Sequence, residues 1–218
     1  MKRRSLILLA IGMSCAAAAQ KLDIGKTETM DFPAGGVLHL KHSVGEVTVE
    51  GGDQPGMEIT ITKPPAAYDR AEARRLEGTS VTAEHNGNEL TITTGLRGRT
   101  LNNRGGFDYR IRVPRSASLI VEHAGGEVHV VDVAGDVRVT NTRGEITLRL
   151  PPDAAYAVDA RSKFGGVVSD IPGQERRRFW LVGHRFVADV QEAAHKLYLR
   201  AGYGDIIIQK MRKPAAAQ

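Results

Sequence analysis

One short phrase, led by glycine, recurs six times in this chain and constrains its fold more than any other feature. The copies are Gly45-Glu-Val-Thr-Val49, Gly126-Glu-Val-His-Val130, Gly135-Asp-Val-Arg-Val139, Gly144-Glu-Ile-Thr-Leu148, Gly166-Val-Val-Ser-Asp-Ile171 and Gly204-Asp-Ile-Ile-Ile208. Three central copies begin nine residues apart, which is room for one short strand and one corner. Glycine tolerates positive φ and close backbone approach, so it suits the corner. The acid that usually follows can stay in water. Beyond it, side chains alternate across a strand, so Val128 and Val130 point one way and His129 the other.

Two such units per turn would place Gly126 over Gly144 and Gly135 at the opposite corner. Val128, Val130, Val137, Val139, Ile146, Leu148, Ile206 and Ile208 would then stack into one core that no single unit could build alone. The expected class is all-β, an irregular parallel β-solenoid resembling a β-helix. A glycine-rich antiparallel sandwich has similar short alternating strands and is the competing architecture.

The first residues predict export. Lys2, Arg3 and Arg4 precede an apolar run from Leu6 to Ile11, followed by the small residues of Ala16 to Ala19. This is the layout of a secretory signal peptide over residues 1–19, with Gln20 as the first mature residue. The run is short of the roughly 20 residues a bilayer span needs, and no other comes close, so no transmembrane segment is expected. Cys15, the single cysteine, falls inside this segment. A lipidated Cys15 is an alternative, but Gly12-Met13-Ser14 before it fits a lipobox poorly. Without residues 1–19 the chain has 27 basic and 25 acidic residues, a net +2. That balance and that compartment argue against nucleic acid as a partner.

Residues 20–34 read as a polar leader, 35–210 as one domain, and 211–218 as a disordered tail. Residues 66–77 carry the one helical pattern, with Gly78 just past its end, and predict a short helix covering the sheet. Asn86-Gly87 predicts a hairpin, and residues 96–106 a polar loop rich in Gly, Arg and Asn. Phe107, Tyr109, Ile111 and Val113 are expected inside, with Asp108, Arg110 and Arg112 outside.

No arrangement for catalysis stands out. Glu192-Ala-Ala-His195 has the spacing of half a di-metal carboxylate site, which needs a second copy on a facing helix. His39 and His42 fall on opposite faces of a strand, and no zinc spacing occurs. The repeats lack the inward Asp of calcium-binding β-rolls. Gly202-x-Gly204 lacks the third glycine of a dinucleotide site. No catalytic residue, metal site or cofactor is therefore expected. Two candidate binding surfaces remain. Arg97, Arg99, Arg104, Arg138 and Arg149 could meet an anionic ligand, and Trp180, Tyr198 and Tyr203 could form an aromatic platform for sugars. The run Arg176-Arg177-Arg178 reads as loop charge.

Tyr109-Arg-Ile-Arg-Val-Pro114, Leu119-Ile-Val121, the spaced Gly-Asp/Glu-Val units, Phe164-Gly-Gly-Val167 and the closing Gly204-Asp-Ile-Ile-Ile resemble, in their order, the bacterial putative-adhesin family over about residues 35–210. The resemblance implies a right-handed solenoid and a role in the cell envelope or outside the cell. It implies no catalytic residue. The expected function is thus an exported, non-catalytic, adhesin-like module that binds or scaffolds an envelope or extracellular glycan or protein, in the periplasm, on the outer surface or secreted. Two other readings stay open: a polysaccharide-acting β-helix enzyme, which would need carboxylates such as Asp132, Asp159 and Asp170 to converge, and a periplasmic accessory protein in signalling or envelope assembly.

Overall fold

A computed structural model describes residues 19–63, 79–95, 106–177, 183–189 and 193–212. The helix expected over 66–77, the loop over 96–106 up to residue 105, most of the signal segment and the end of the tail lie outside these residues.

Among the described residues eighteen strands form and no helix occurs. In chain order they begin with β1 Gln20–Leu22, β2 Thr27–Met30, β3 Val37–Val44, β4 Val47–Gly52, β5 Met57–Thr62 and β6 Ser80–Asn86. Next come β7 Glu89–Gly95, β8 Asp108–Pro114, β9 Ser118–Gly125, β10 Val128–Val131, β11 Val137–Arg143 and β12 Ile146–Leu150. The last are β13 Tyr156–Phe164, β14 Val167–Ser169, β15 Gln174–Arg177, β16 His184–Ala188, β17 His195–Tyr203 and β18 Ile206–Lys210. They make two large mixed sheets, ordered β1-β6-β7-β3-β9-β11-β17-β13-β16-β15 and β14-β18-β12-β10-β4-β8-β5-β2. The stretch from β7 to β13 in the first sheet and from β14 to β8 in the second is entirely parallel, and antiparallel pairs lie only at the ends. From β8 to β14 each successive strand changes sheet.

The expected inward residues are the core. Val128, Val130, Val137, Val139, Ile146, Leu148, Ile206 and Ile208 are all buried, as are Phe107, Tyr109, Ile111 and Val113. Val128 pairs with Ile146 and Ile146 with Ile206, so equivalent positions of the repeats lie side by side. The polar leader carries more structure than expected. β1 and β2 edge the two sheets, and Leu22, Met30 and Phe32 enter the core.

Spatial order departs from chain order in two places. The β3–β4 pair lies between β7–β8 and β9–β10, and the C-terminal β17–β18 pair lies between β11–β12 and β13–β14. Repeat spacing reports how long a unit is, not which neighbour it will meet, so the sequence did not reveal this insertion.

The corners explain the phrase. Gly45, Gly126, Gly144 and Gly204 have φ between +115° and +130°, and each would drive a Cβ into the corner backbone of the adjacent strand pair. In the fifth copy the register aligns Val167 with Ile206, so Gly165 rather than Gly166 holds the corner position, at φ 157°. The acids divide by length. Asp108, Asp136 and Asp205 accept hydrogen bonds from the backbone N–H of Glu46, Lys196 and Gly166 on neighbouring strands. Glu46 and Glu145 instead accept from Thr48 and Thr147 of their own strand.

Just inside these corners runs a column in register that is polar at His42, His123, Asn141 and Ser162, with Ala201 between the last two. Asn141 Nδ2 donates to the Gly126 carbonyl at 2.9 Å and Ser162 Oγ to the Gly204 carbonyl at 2.7 Å. These side chains satisfy corner carbonyls that the sheet ladders do not reach. His42 Nε2 donates to the Phe107 carbonyl at 2.9 Å. Its Nδ1 therefore accepts from Thr94, whose hydroxyl in turn accepts from Tyr109. The His123 ring stacks on His42 at 5.1 Å, and neither of its nitrogens has a hydrogen-bond partner among the described residues.

Candidate anion-binding face

On the outer surface of the ten-stranded sheet, four arginines from four adjacent strands stand directly opposite one another. Arg200 of β17 pairs with Arg161 of β13, Arg161 with Arg185 of β16, and Arg185 with Arg176 of β15. Strand alternation puts them there. Their flanking partners Leu199, Ala160 and Phe186 face the core, so the arginines must face out. Like charges placed opposite across strands cost roughly 0.2–1 kcal/mol per pair relative to neutral neighbours. Three such contacts in one row oppose folding.

One carboxylate tempers the row. Asp159 accepts from Arg185 Nε and a terminal nitrogen at 3.2 and 3.1 Å, and from Arg200 at 2.9 Å. Partial burial alone would raise the Asp159 carboxyl, but the hydrogen bonds from Arg185 and Arg200 together outweigh it and hold the group below its usual range. Arg176 is bonded through one terminal nitrogen to Gln174 at 3.3 Å. Neither Arg161 nor Arg176 meets a carboxylate among the described residues.

Tyr198, next to Arg200 on the same face of the sheet, has two guanidinium groups over its ring. Arg200 sits 3.7 Å and Arg138 4.4 Å from the ring centre. This geometry is favourable for cation–π attraction and fixes both arginine heads. Beside it is an open depression of about 540 Å3, with Ile120, Arg138, Asp159, Val187, Lys196 and Tyr198 among its lining residues.

One corner of the other sheet carries a row of acids. Asp108, Glu46, Glu127, Glu145 and Asp205 follow one another in register along its outer corner. The near-neutral total charge thus conceals a basic face on one sheet and an acidic row on the other.

The sequence-derived candidates are dispersed. Arg97, Arg99, Arg104 and Trp180 lie outside the described residues. Arg138 lies in the basic face, whereas Arg149 is on β12 in the eight-stranded sheet, beside Val131 and Gln209. Tyr198 and Arg138, assigned to separate surfaces, are in contact. Tyr203 is half exposed at the end of β17 and stacks on Phe164 at 4.6 Å, apart from Tyr198. Arg176 belongs to a strand rather than a loop. Arg161, Arg185 and Arg200 were missed because nothing in the sequence tells that their strands are neighbours. The only available signal was their position opposite apolar residues in alternating segments. Asp132, Asp159 and Asp170 are each taken by a different partner: Arg115 at 2.7 Å, the Arg185–Arg200 pair, and the Lys210 N–H.

No protein-family model matches the chain, and no curated protein matches it in sequence. Solved structures do match. A Clostridium sporogenes ATCC 15579 protein named for cell adhesion is 15% identical, with a TM-score of 0.50 over 85% of this chain and 99% of that one. A Bacteroides fragilis NCTC 9343 protein named as an adhesin is 10% identical, with a TM-score of 0.27 over 84% of this chain and 96% of its own. A Parabacteroides distasonis ATCC 8503 protein named for lipid binding is 10% identical, with a TM-score of 0.22 over 91% and 98%. The first likeness shows a common fold and nothing about a shared ligand. No helix among the described residues is long and apolar enough to cross a membrane.

Proposed function

We propose that this chain is an exported, non-catalytic, adhesin-like binding protein whose basic sheet face holds an anionic component of the cell envelope or its surroundings. The single observation that carries the reading is the in-register row Arg200–Arg161–Arg185–Arg176. A row that opposes folding persists where it serves binding, and here one carboxylate orients two of the four heads while Arg161 and Arg176 meet no carboxylate among the described residues. Strands that alternate between two sheets, with a parallel centre, favour a right-handed parallel solenoid as the scaffold. Export rests on the segment of residues 1–19, and β1 beginning at Gln20 fits a mature chain that starts there. Mass spectrometry of the exported protein should find Gln20 first, and a lipidated Cys15 at the N-terminus would refute that cleavage.

Binding is tested with immobilised acidic and neutral polymers over a salt series. Exposed charge contacts are screened over about 8–10 Å at physiological ionic strength, so retention on the acidic polymer should fall steeply with salt. Arg161→Gln combined with Arg176→Gln should abolish most of it, while Arg149→Gln on the opposite sheet should not. Equal retention on a neutral polymer would defeat the reading.

A further inference from the structure

We infer that the anion is a linear acidic glycan carrying one carboxylate on every sugar, a polyuronate, laid across β17, β13, β16 and β15 at right angles to the strands. This inference rests on the binding function proposed above and narrows its ligand. Adjacent strands are spaced about 4.7–4.9 Å apart, so a row of directly opposed side chains repeats its charge at that interval. One pyranose unit advances a glycan chain by about one strand spacing. Alternate sugars of an extended two-fold chain turn their carboxylates to the same side, about two strand spacings apart, so a uronate on each sugar brings every second carboxylate to Arg161 and Arg176, which stand two strands apart. Inorganic polyphosphate carries its charges more closely than this, and a bilayer offers them in two dimensions without register.

The head group agrees with the spacing. A guanidinium presents parallel N–H donors that fit a carboxylate bidentately, and all four positions are arginine with no lysine. Asp159 fixes Arg185 and Arg200 and leaves Arg161 between them without a carboxylate partner among the described residues. The Tyr198 ring has a guanidinium over it from Arg138 and another from Arg200. The ring is thus engaged by arginine, and it serves to position Arg200 rather than to stack a sugar. The glycan is held by charge along the row and not by an aromatic platform.

The mature protein would be titrated calorimetrically with galacturonate oligomers from dimer to octamer, their methyl-esterified counterparts, and inorganic polyphosphate of matched charge. Affinity should rise from dimer to trimer, the shortest oligomer whose same-side carboxylates reach both Arg161 and Arg176, and then level off. Esterification should weaken the tetramer by more than tenfold. Arg161→Gln and Arg176→Gln should each weaken it by about tenfold, which is about 1.4 kcal/mol, with the thermal midpoint no lower than that of the parent. Polyphosphate binding as tight as the oligouronate, or affinity that does not depend on oligomer length, would overturn the polyuronate and leave the anion-binding face standing. Failure of every anion to bind would overturn both. Oligouronate binding that survived Arg161→Gln and Arg176→Gln would overturn the row as its site.

Discussion

Gly144 lies directly over Gly126, with its α-carbon turned towards the Gly126 carbonyl so closely that a Cβ there would collide with the oxygen. The same carbonyl accepts from Asn141 Nδ2 at 2.9 Å, so it cannot swing away without losing a buried bond. Gly144 also has a φ of +115°, which side-chain-bearing residues rarely adopt. Gly144→Ala should therefore cost several kcal/mol, adding backbone strain of about 1–3 kcal/mol to the collision. Gly35→Ala is the comparison: its φ is +74°, but nothing stands within 4 Å of the added carbon, and it should cost only about 1 kcal/mol. Urea denaturation of the two variants checks the difference, and equal losses would mean that strain, not the stacked carbonyl, sets the cost.

The stacked imidazoles predict a pH dependence. Burial and the neighbouring His123 lower His42 to about 3, and burial lowers His123 to about 4, from an ordinary 6.5. Both are neutral in the folded chain at pH 7. Below pH 6.5 the unfolded chain takes up protons that the folded chain refuses, so stability is full above that value and falls as pH drops towards 4. Each histidine contributes up to about 1.4 kcal/mol per pH unit in that window. The titratable neighbour packed on His42 is Tyr109, held neutral well past this range at about 12. His123→Gln should flatten the decline between pH 6.5 and 4 in urea midpoints. A variant as steep as the parent would exclude His123 as a source.

The place of β17–β18 predicts an unusual response to truncation. In a stack that followed chain order, removing the last pair would shave one end. Here it would strip the partners of β11 and β13 in one sheet and of β12 and β14 in the other. A chain ending at residue 194 should lose its cooperative unfolding transition entirely. A sharp transition at a modestly lower temperature would contradict the inserted topology.

Arg161 should be a site where stability and binding part company. It faces Arg200 and Arg185 and is exposed. Arg161→Thr keeps strand propensity and relieves two opposed pairs, so it should stabilise the fold by a few tenths to about 1 kcal/mol at low salt. The gain should vanish in molar salt, where the Debye length is about 3 Å. Calorimetric melting at both ionic strengths measures it; destabilisation at low salt would mean that Arg161 has a structural contact in the fold.

Local features were legible in the residues themselves. Alternation placed Val128 and Val130, Phe107 and Tyr109 inside, because a strand has only two faces and water decides which one apolar groups occupy. The glycines marked corners because few other residues hold a positive φ. The nine-residue spacing set the length of the unit, and the register of Val128 with Ile146 follows from it. What the sequence could not state was which units become neighbours. That depends on contacts between residues far apart in the chain, and strand pairing carries little information about partner choice when many strands have the same apolar pattern. Hence the inserted β17–β18 pair and the polar column through His42, His123, Asn141 and Ser162 appeared only in the fold. The basic face belongs to the same class: Arg161, Arg176, Arg185 and Arg200 are unremarkable singly, and only sheet order sets them side by side.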